Sequence, residues 1–285
     1  MPADVTETVL SYDEAWLVGL TGTGRAYLLS RLNESYVLEQ TIDAPNNLTL
    51  AEAYFSNDTL IVFKDNLANL HMWDAVNRQL SSATIGSVDD YCVTDGSMVF
   101  TFTKDSEISY TLHVLTVQVS GQNLDLVEMS SRALGYVTSD LLCLGTQEVL
   151  VNPLNFGDPI RMWKYNTTFT NTASLIKLQT LHDKVYRTSS YIFFTNTDQR
   201  TTPVFYDYNL FPIGVSSSIM MAPDTVYRFL RTSSNYLIVA VGDDVENIVA
   251  LDSYELIGNA ITYSCLLYTS PSPRDQRGSR MPSSA

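Results

Sequence analysis

The sequence predicts an all-β chain, a β-propeller of about six visible four-stranded blades, with six as a lower bound. Three observations lead there. Between Thr6 and Ser264 the apolar residues come in short runs rich in Val, Ile, Leu, Tyr, Phe and Thr, divided by Asn, Asp, Ser and Gly. That is the pattern of strands and turns, and only residues 25–40 carry a weak helical period. Second, Val185-Tyr-Arg-Thr-Ser-Ser-Tyr-Ile-Phe-Phe is matched by Val226-Tyr-Arg-Phe-Leu-Arg-Thr-Ser-Ser-Asn-Tyr-Leu-Ile-Val, with the shared Arg-Thr-Ser-Ser beginning at Arg187 and Arg231, 44 positions apart. Third, Leu70-His-Met-Trp-Asp, Ile160-Arg-Met-Trp-Lys, Val204-Phe-Tyr-Asp and Val249-Ala-Leu-Asp read as one recurring strand, at spacings of 90, 43 and 45. The interval of 90 is two periods, with His113-Val-Leu-Thr-Val as the poorly matched copy between. A period in the mid-forties is the length of one blade, and a lone blade cannot bury both faces, so the repeats must stack.

The units fall near residues 6–43, 44–88, 89–133, 134–182, 183–222 and 223–264. The first holds the apolar run Trp16-Leu-Val and a glycine-rich turn, and the second holds the Leu70 landmark. In the third, Thr94-Asp-Gly-Ser separates Tyr91-Cys-Val from Met98-Val-Phe-Thr-Phe, and an Asp-Gly pair suits the tight turn of a hairpin. The last three carry the landmarks beginning at Ile160, Val204 and Val249.

After Ser264 the text changes to Cys265-Leu-Leu-Tyr-Thr-Ser-Pro-Ser-Pro-Arg-Asp-Gln-Arg-Gly-Ser-Arg-Met-Pro-Ser-Ser-Ala. This segment resembles a translated sequencing adapter, so residues 265–285 are expected to be a non-native or disordered tail.

The formal net charge of -14 and a pI of about 4.5 oppose phosphate backbones and anionic lipid headgroups, which argues against nucleic acid or membrane surfaces as partners. No apolar run reaches the roughly 18–20 residues of a membrane span, and the opening Met1-Pro-Ala-Asp lacks the order of a signal peptide. The expectation is a soluble, cytoplasmic chain. Cys92, Cys143 and Cys265 have neither metal-ligand spacing nor the even count of a disulfide framework, and read as buried thiols.

The Leu70–Asp74 copy and its relatives resemble the third strand of WD-repeat proteins. Trp73-Asp74 matches that family's dipeptide in full and Trp163-Lys164 keeps half of it, while the Gly-His dipeptide earlier in the blade is absent. The resemblance implies a divergent propeller serving as a rigid interaction platform, without the family's Asp, His, Ser and Trp hydrogen-bond network.

Catalytic signals are few. Gly19-Leu-Thr-Gly-Thr-Gly24-Arg25-Ala26 has the spacing of a phosphate-binding P-loop, but Arg and Ala stand where Lys and a hydroxyl are needed. The preferred reading is a glycine-rich hairpin turn; the alternative, a nucleotide binder, would begin a helix near Arg25. His71, His113 and His182 belong to different units, and no Gly-x-Ser-x-Gly elbow occurs. No catalytic residue, metal or cofactor is implied.

One pattern depends on the fold. In a four-stranded meander the loops between second and third strands share an end with the links between blades. These loops carry Asp65, Asp105, Asp158, Asp198, Asp243 and Asp244, with Asp89, Asp90 and Glu107 nearby. Turns favour Asp in any case. An acidic face would also attract a basic segment of a protein partner, or a divalent cation held by carboxylates in the channel of a hydrolase or lactonase. The leading expectation is a non-enzymatic scaffold for protein–protein interaction.

Overall fold

The computed structural model describes residues 4–269 apart from 12–14, 34, 44–47, 56–59, 75–77, 83–84, 86, 95–97, 121–122, 177–183, 188–190, 196–203, 214–215, 218–225, 233–235, 243–247 and 258–259. The chain divides into two compact units, Met1–Lys177 and Leu178–Ala285. In the first, four sheets follow one another, each a meander of consecutive antiparallel strands. They are β1–β4 (Val5–Leu10, Trp16–Thr21, Arg25–Leu32, Ser35–Asp43), β5–β8 (Leu50–Phe55, Leu60–Asp65, Leu70–Asp74, Gln79–Ser82), β9–β12 (Val88–Val93, Met98–Ser106, Ser109–Ser120, Asn123–Ala133) and β13–β16 (Thr138–Leu144, Glu148–Pro153, Pro159–Asn166, Thr168–Ile176).

The core lies between these sheets, and strand alternation explains it. In β6, Ile61 and Phe63 join Trp73 of β7 in a cluster with Val18, Leu20 and Leu28 of the first sheet. The intervening Val62, with Leu70 and Met72, packs instead with Val99, Leu115 and Leu126 of the third sheet. A strand whose two faces are both buried needs an unbroken apolar run, which Leu60-Ile-Val-Phe supplies. The third sheet repeats the arrangement: Phe100, Phe102, Leu112 and Val114 turn to Val149, Val151 and Trp163 of the fourth.

The second unit holds β17–β20 (Lys184–Arg187, Ile192–Thr195, Val204–Tyr206, Pro212–Ile213) and β22–β25 (Val226–Thr232, Tyr236–Gly242, Ile248–Ile257, Ala260–Thr269). A short β21 (Ser216–Ser217) adds parallel to β25, so this sheet has five strands instead of four. Strand β25 runs through Cys265–Thr269, where the β-prone Leu-Leu-Tyr-Thr lets Ser253 pair with Cys265 and Asp252 with Leu266. The rest of the adapter-like tail lies outside the described residues. The landmarks at Leu70, His113, Ile160, Val204 and Val249 all fall in third strands, β7, β11, β15, β19 and β24.

The weak helical period over residues 25–40 belongs to β3 and β4, where Ala26 and Leu28 enter the core while Arg25 pairs across to Asp43 at 2.8 Å. The P-loop-like segment is the β2–β3 hairpin turn, as its glycines suggested. Gly24 has φ +88°, and a Cβ there would sit 2.7 Å from Thr49 Cα, so glycine is demanded by a close backbone approach and a strand follows at Arg25. One expectation is corrected: Cys92 and Cys143 are not free thiols but a disulfide with Cα atoms 5.5 Å apart, tying β9 to β13. Among the described residues no helix is long and apolar enough to cross a membrane.

Candidate functional site

Antiparallel succession puts the loop between second and third strands at the same end of each sheet as the link to the next sheet. Three predicted acids fall at this end among the described residues, and they behave differently. Asp198, Asp243 and Asp244 lie outside the described residues.

Asp65, the last residue of β6, is 1% exposed and turned inward. Its Oδ1 accepts hydrogen bonds from the backbone N–H groups of Leu67 (2.8 Å) and Asn69 (2.9 Å), and its Oδ2 lies 2.7 Å from His71 Nε2. Ala68, at φ +62°, donates its N–H to the Asp65 carbonyl and closes the turn. The second unit repeats the device. Asp207 Oδ1 accepts from Asn209 and Phe211, and Leu210 has φ +61°. The expectation that Asp65 meets a partner is therefore corrected, since its carboxylate is engaged by its own hairpin. Burial pushes its pKa up, but the hydrogen bonds from His71, Asn69 and Leu67 outweigh burial and hold it below the usual value.

That balance makes a prediction. Asp65→Asn should cost about 2–3 kcal/mol near pH 7, the scale of charge-assisted bonds lost from a buried turn. A depressed carboxyl stabilises fully above the unfolded pKa of about 3.9 and stops doing so as pH falls through the lower folded value. The stability gap between wild type and Asp65→Asn, from urea titrations, should therefore shrink between pH 6 and pH 3. A constant gap would show that the charge does not hold the turn.

Asp105 and Asp158 are accessible. Asp105, near the end of β10, is exposed and accepts a hydrogen bond from Thr111 at 2.7 Å. Asp158, in the β14–β15 loop, is half-buried with Asn155 Nδ2 at 3.5 Å. Glu107 stands between β10 and β11 and meets Lys104 at 3.0 Å. Asp90 has a structural role: its carboxylate accepts from the N–H of Tyr91 and from that of Leu141 on the neighbouring sheet. A groove of about 540 Å³ opens at this end between the third and fourth sheets. Sequence reasoning missed the apolar side chains beside it, Ile108, Leu154 and Phe156, all exposed. The available signal was large apolar residues set inside turn-like text, Ser-Glu-Ile-Ser and Pro-Leu-Asn-Phe-Gly-Asp.

The third sheet also carries a hydroxyl–imidazole–carboxylate chain. Thr103 Oγ1 lies 2.8 Å from His113 Nε2, and His113 Nδ1 lies 3.0 Å from Glu128 Oε1. The order matches a hydrolase relay. Thr103 sits in a strand paired on both sides, to β9 and β11, with an irregularity in the β9 register between Phe102 and Thr103. The chain acts as a polar crosslink over β10, β11 and β12. His182 lies outside the described residues, and among those described no three His, Cys, Asp or Glu side chains are grouped to hold a metal. Among the described residues the buried Trp73 Nε1 has no hydrogen-bond partner.

No protein-family model matches the chain and no curated protein is similar in sequence. Solved structures do match. A chain from a crystal structure of a mitotic checkpoint complex superposes with a TM-score of 0.64 at 7% identity, covering 95% of this chain and 87% of that one. A chain from the complex of KlAtg21 with the coiled coil of AgAtg16 gives 0.64 at 9% identity, covering 93% and 85%. The fold is a β-propeller. It has about six blades, each sheet above being one of them. As many as 826 solved chains match, so the likeness identifies the architecture and selects no function from among the many that it hosts.

Proposed function

We propose that the chain is a non-enzymatic propeller that holds a protein partner on its acidic loop face, engaging a basic segment. One observation carries the reading. On adjacent third and fourth blades, Asp105 near the end of β10, Glu107 in the β10–β11 turn and Asp158 in the β14–β15 loop lie at the same end of their sheets within reach of solvent, and Glu107 and Asp158 line a groove. Blades fixed by buried cores on both faces hold such loops rigidly, which lowers the ordering cost of binding. The net charge of -14 adds long-range attraction for a cationic segment and opposes nucleic acid and anionic membranes. Both structural neighbours come from structures of complexes, which supports this reading.

A labelled Lys-rich decapeptide serves as the probe. In 50 mM salt it should bind with a rate that falls as salt rises, and the triple change Asp105→Lys, Glu107→Lys, Asp158→Lys should weaken binding at least tenfold. Glu39→Lys, on the exposed outer strand β4, is the control and should weaken it far less. The triple change adds about six units of charge and Glu39→Lys about two, so an equal loss per unit of charge added would mean attraction to overall charge, and would remove the loop face from the account.

A further inference from the structure

The groove between the third and fourth blades has more chemistry than an acidic rim requires. One wall is the β10–β11 hairpin end, with Glu107, Ile108 and Tyr110. Tyr136 comes from the link between blades, and Leu154 and Asp158 come from the β14–β15 loop. Ile108 is 77% exposed and Leu154 54%, and Phe156 in the same loop is 52% exposed. Large apolar side chains collected at loop tips around one cavity form a patch that water covers at a cost, and such patches mark binding surfaces. Single exposed apolar residues would need no explanation.

The charged residues that line the groove are Glu107, Asp158 and Lys104, and Lys104 is paired with Glu107 at 3.0 Å. Arg161 packs on the groove's own Tyr136, its guanidinium 5.3 Å from the centre of that ring and 5.9 Å from that of Trp163. Tyr136 is 7% exposed, and its hydroxyl is buried beside Arg161 and Trp163 without hydrogen-bond geometry to either. The groove therefore offers apolar contact at its mouth and, in Asp158, a carboxylate without an ion pair among the described residues.

We infer that this groove receives an extended peptide segment of a partner protein in which an aliphatic side chain is flanked within two residues by Lys or Arg. The aliphatic group would lie against Ile108 and Leu154, and the cation would reach Asp158 or Glu107. A volume of about 540 Å³ is within the range of sites that accept a few side chains. A second copy of this chain is the poorer occupant, because each copy brings a net charge of -14. A lipid surface with anionic headgroups is repelled by the same acids. The assignment rests on the scaffold reading above and narrows it to one site and one class of sequence.

The test is a display library of random nonapeptides selected on the intact chain. The enriched peptides should place Leu, Ile or Met within two residues of Lys or Arg, and a labelled representative should lose at least tenfold in affinity on Ile108→Ser and on Asp158→Lys. Glu39→Lys should leave its affinity within twofold. All three positions are at least partly exposed, so the variants should melt as wild type does. If enriched peptides bind Ile108→Ser and wild type equally but lose affinity on Asp105→Lys, the groove is overturned while the acidic-face scaffold stands. If no peptide is enriched, both fall. If sedimentation shows a dimer that Ile108→Ser abolishes, the occupant is a second copy and the peptide assignment is wrong.

Discussion

Phe100→Ala is expected to destabilise the first unit by about 3–5 kcal/mol and to lower its melting temperature by roughly 10 °C. Phe100 is fully buried in β10 and belongs to the cluster that joins the third and fourth blades, with the Phe169 ring 6.3 Å away. Truncation removes the transfer energy of a ring and leaves a cavity that two laddered sheets cannot easily close. The location of the damage is the sharper readout. Hydrogen exchange should lose protection mainly in β13–β16 and in β10–β11. Val99→Ala, one residue away on the opposite face, should instead loosen the contact with Val62, Leu70 and Met72 of the second blade. Its cost should be smaller because fewer atoms are lost. Identical exchange patterns in the two variants would mean that the blades are not separately packed on either side of β10, and the stacked-sheet account of this unit would fail.

The same alternation explains what the sequence made legible. The period was readable because each unit must supply a central pair of strands buried on both faces, and such strands stay apolar even where identities diverge, as Leu70-His-Met-Trp and His113-Val-Leu-Thr do. Turn chemistry was readable at Gly24 only in part. The glycine was visible, but the approach of Thr49 that demands it comes from the following blade, and spacing alone resembled a phosphate loop. Asp65 and Asp105 are alike in sequence, each near the end of a second strand before a short turn. What separates them is that Asp65 has Asn69 and His71 downstream to receive it, so one carboxylate folds inward and the other stays in solvent. The groove was illegible because its walls are contributed by residues about 30 to 50 positions apart, and only the stacking of two blades brings Ile108 near Leu154.

Loss of the Cys92–Cys143 bond is expected to cost about 4 kcal/mol, by the chain-entropy estimate for a crosslink closing a segment of 51 residues. The bond was hidden by the odd count of cysteines and by a separation that matches no disulfide framework. It becomes intelligible from the repeat. First strands of successive blades lie side by side, so positions about one period apart meet, and β9 and β13 bring Cys92 and Cys143 together inside the cluster that contains Phe100. Because the crosslink restricts the unfolded chain, most of its effect should appear as a shift in the denaturant midpoint of the first unit. The double variant Cys92→Ala, Cys143→Ala should have a lower midpoint than wild type in the absence of reductant. Adding dithiothreitol should move wild type toward the variant and leave the variant unchanged. Part of the loss in the variant comes from the two missing sulfur atoms in a packed core, so the reductant effect on wild type isolates the crosslink itself. A wild-type midpoint indifferent to reductant, with thiol titration showing the bond reduced, would remove the disulfide from the forces that hold the third blade to the fourth. The groove should respond as well: with its two walls less firmly held, the selected peptide should bind reduced protein more weakly, through faster dissociation more than slower association.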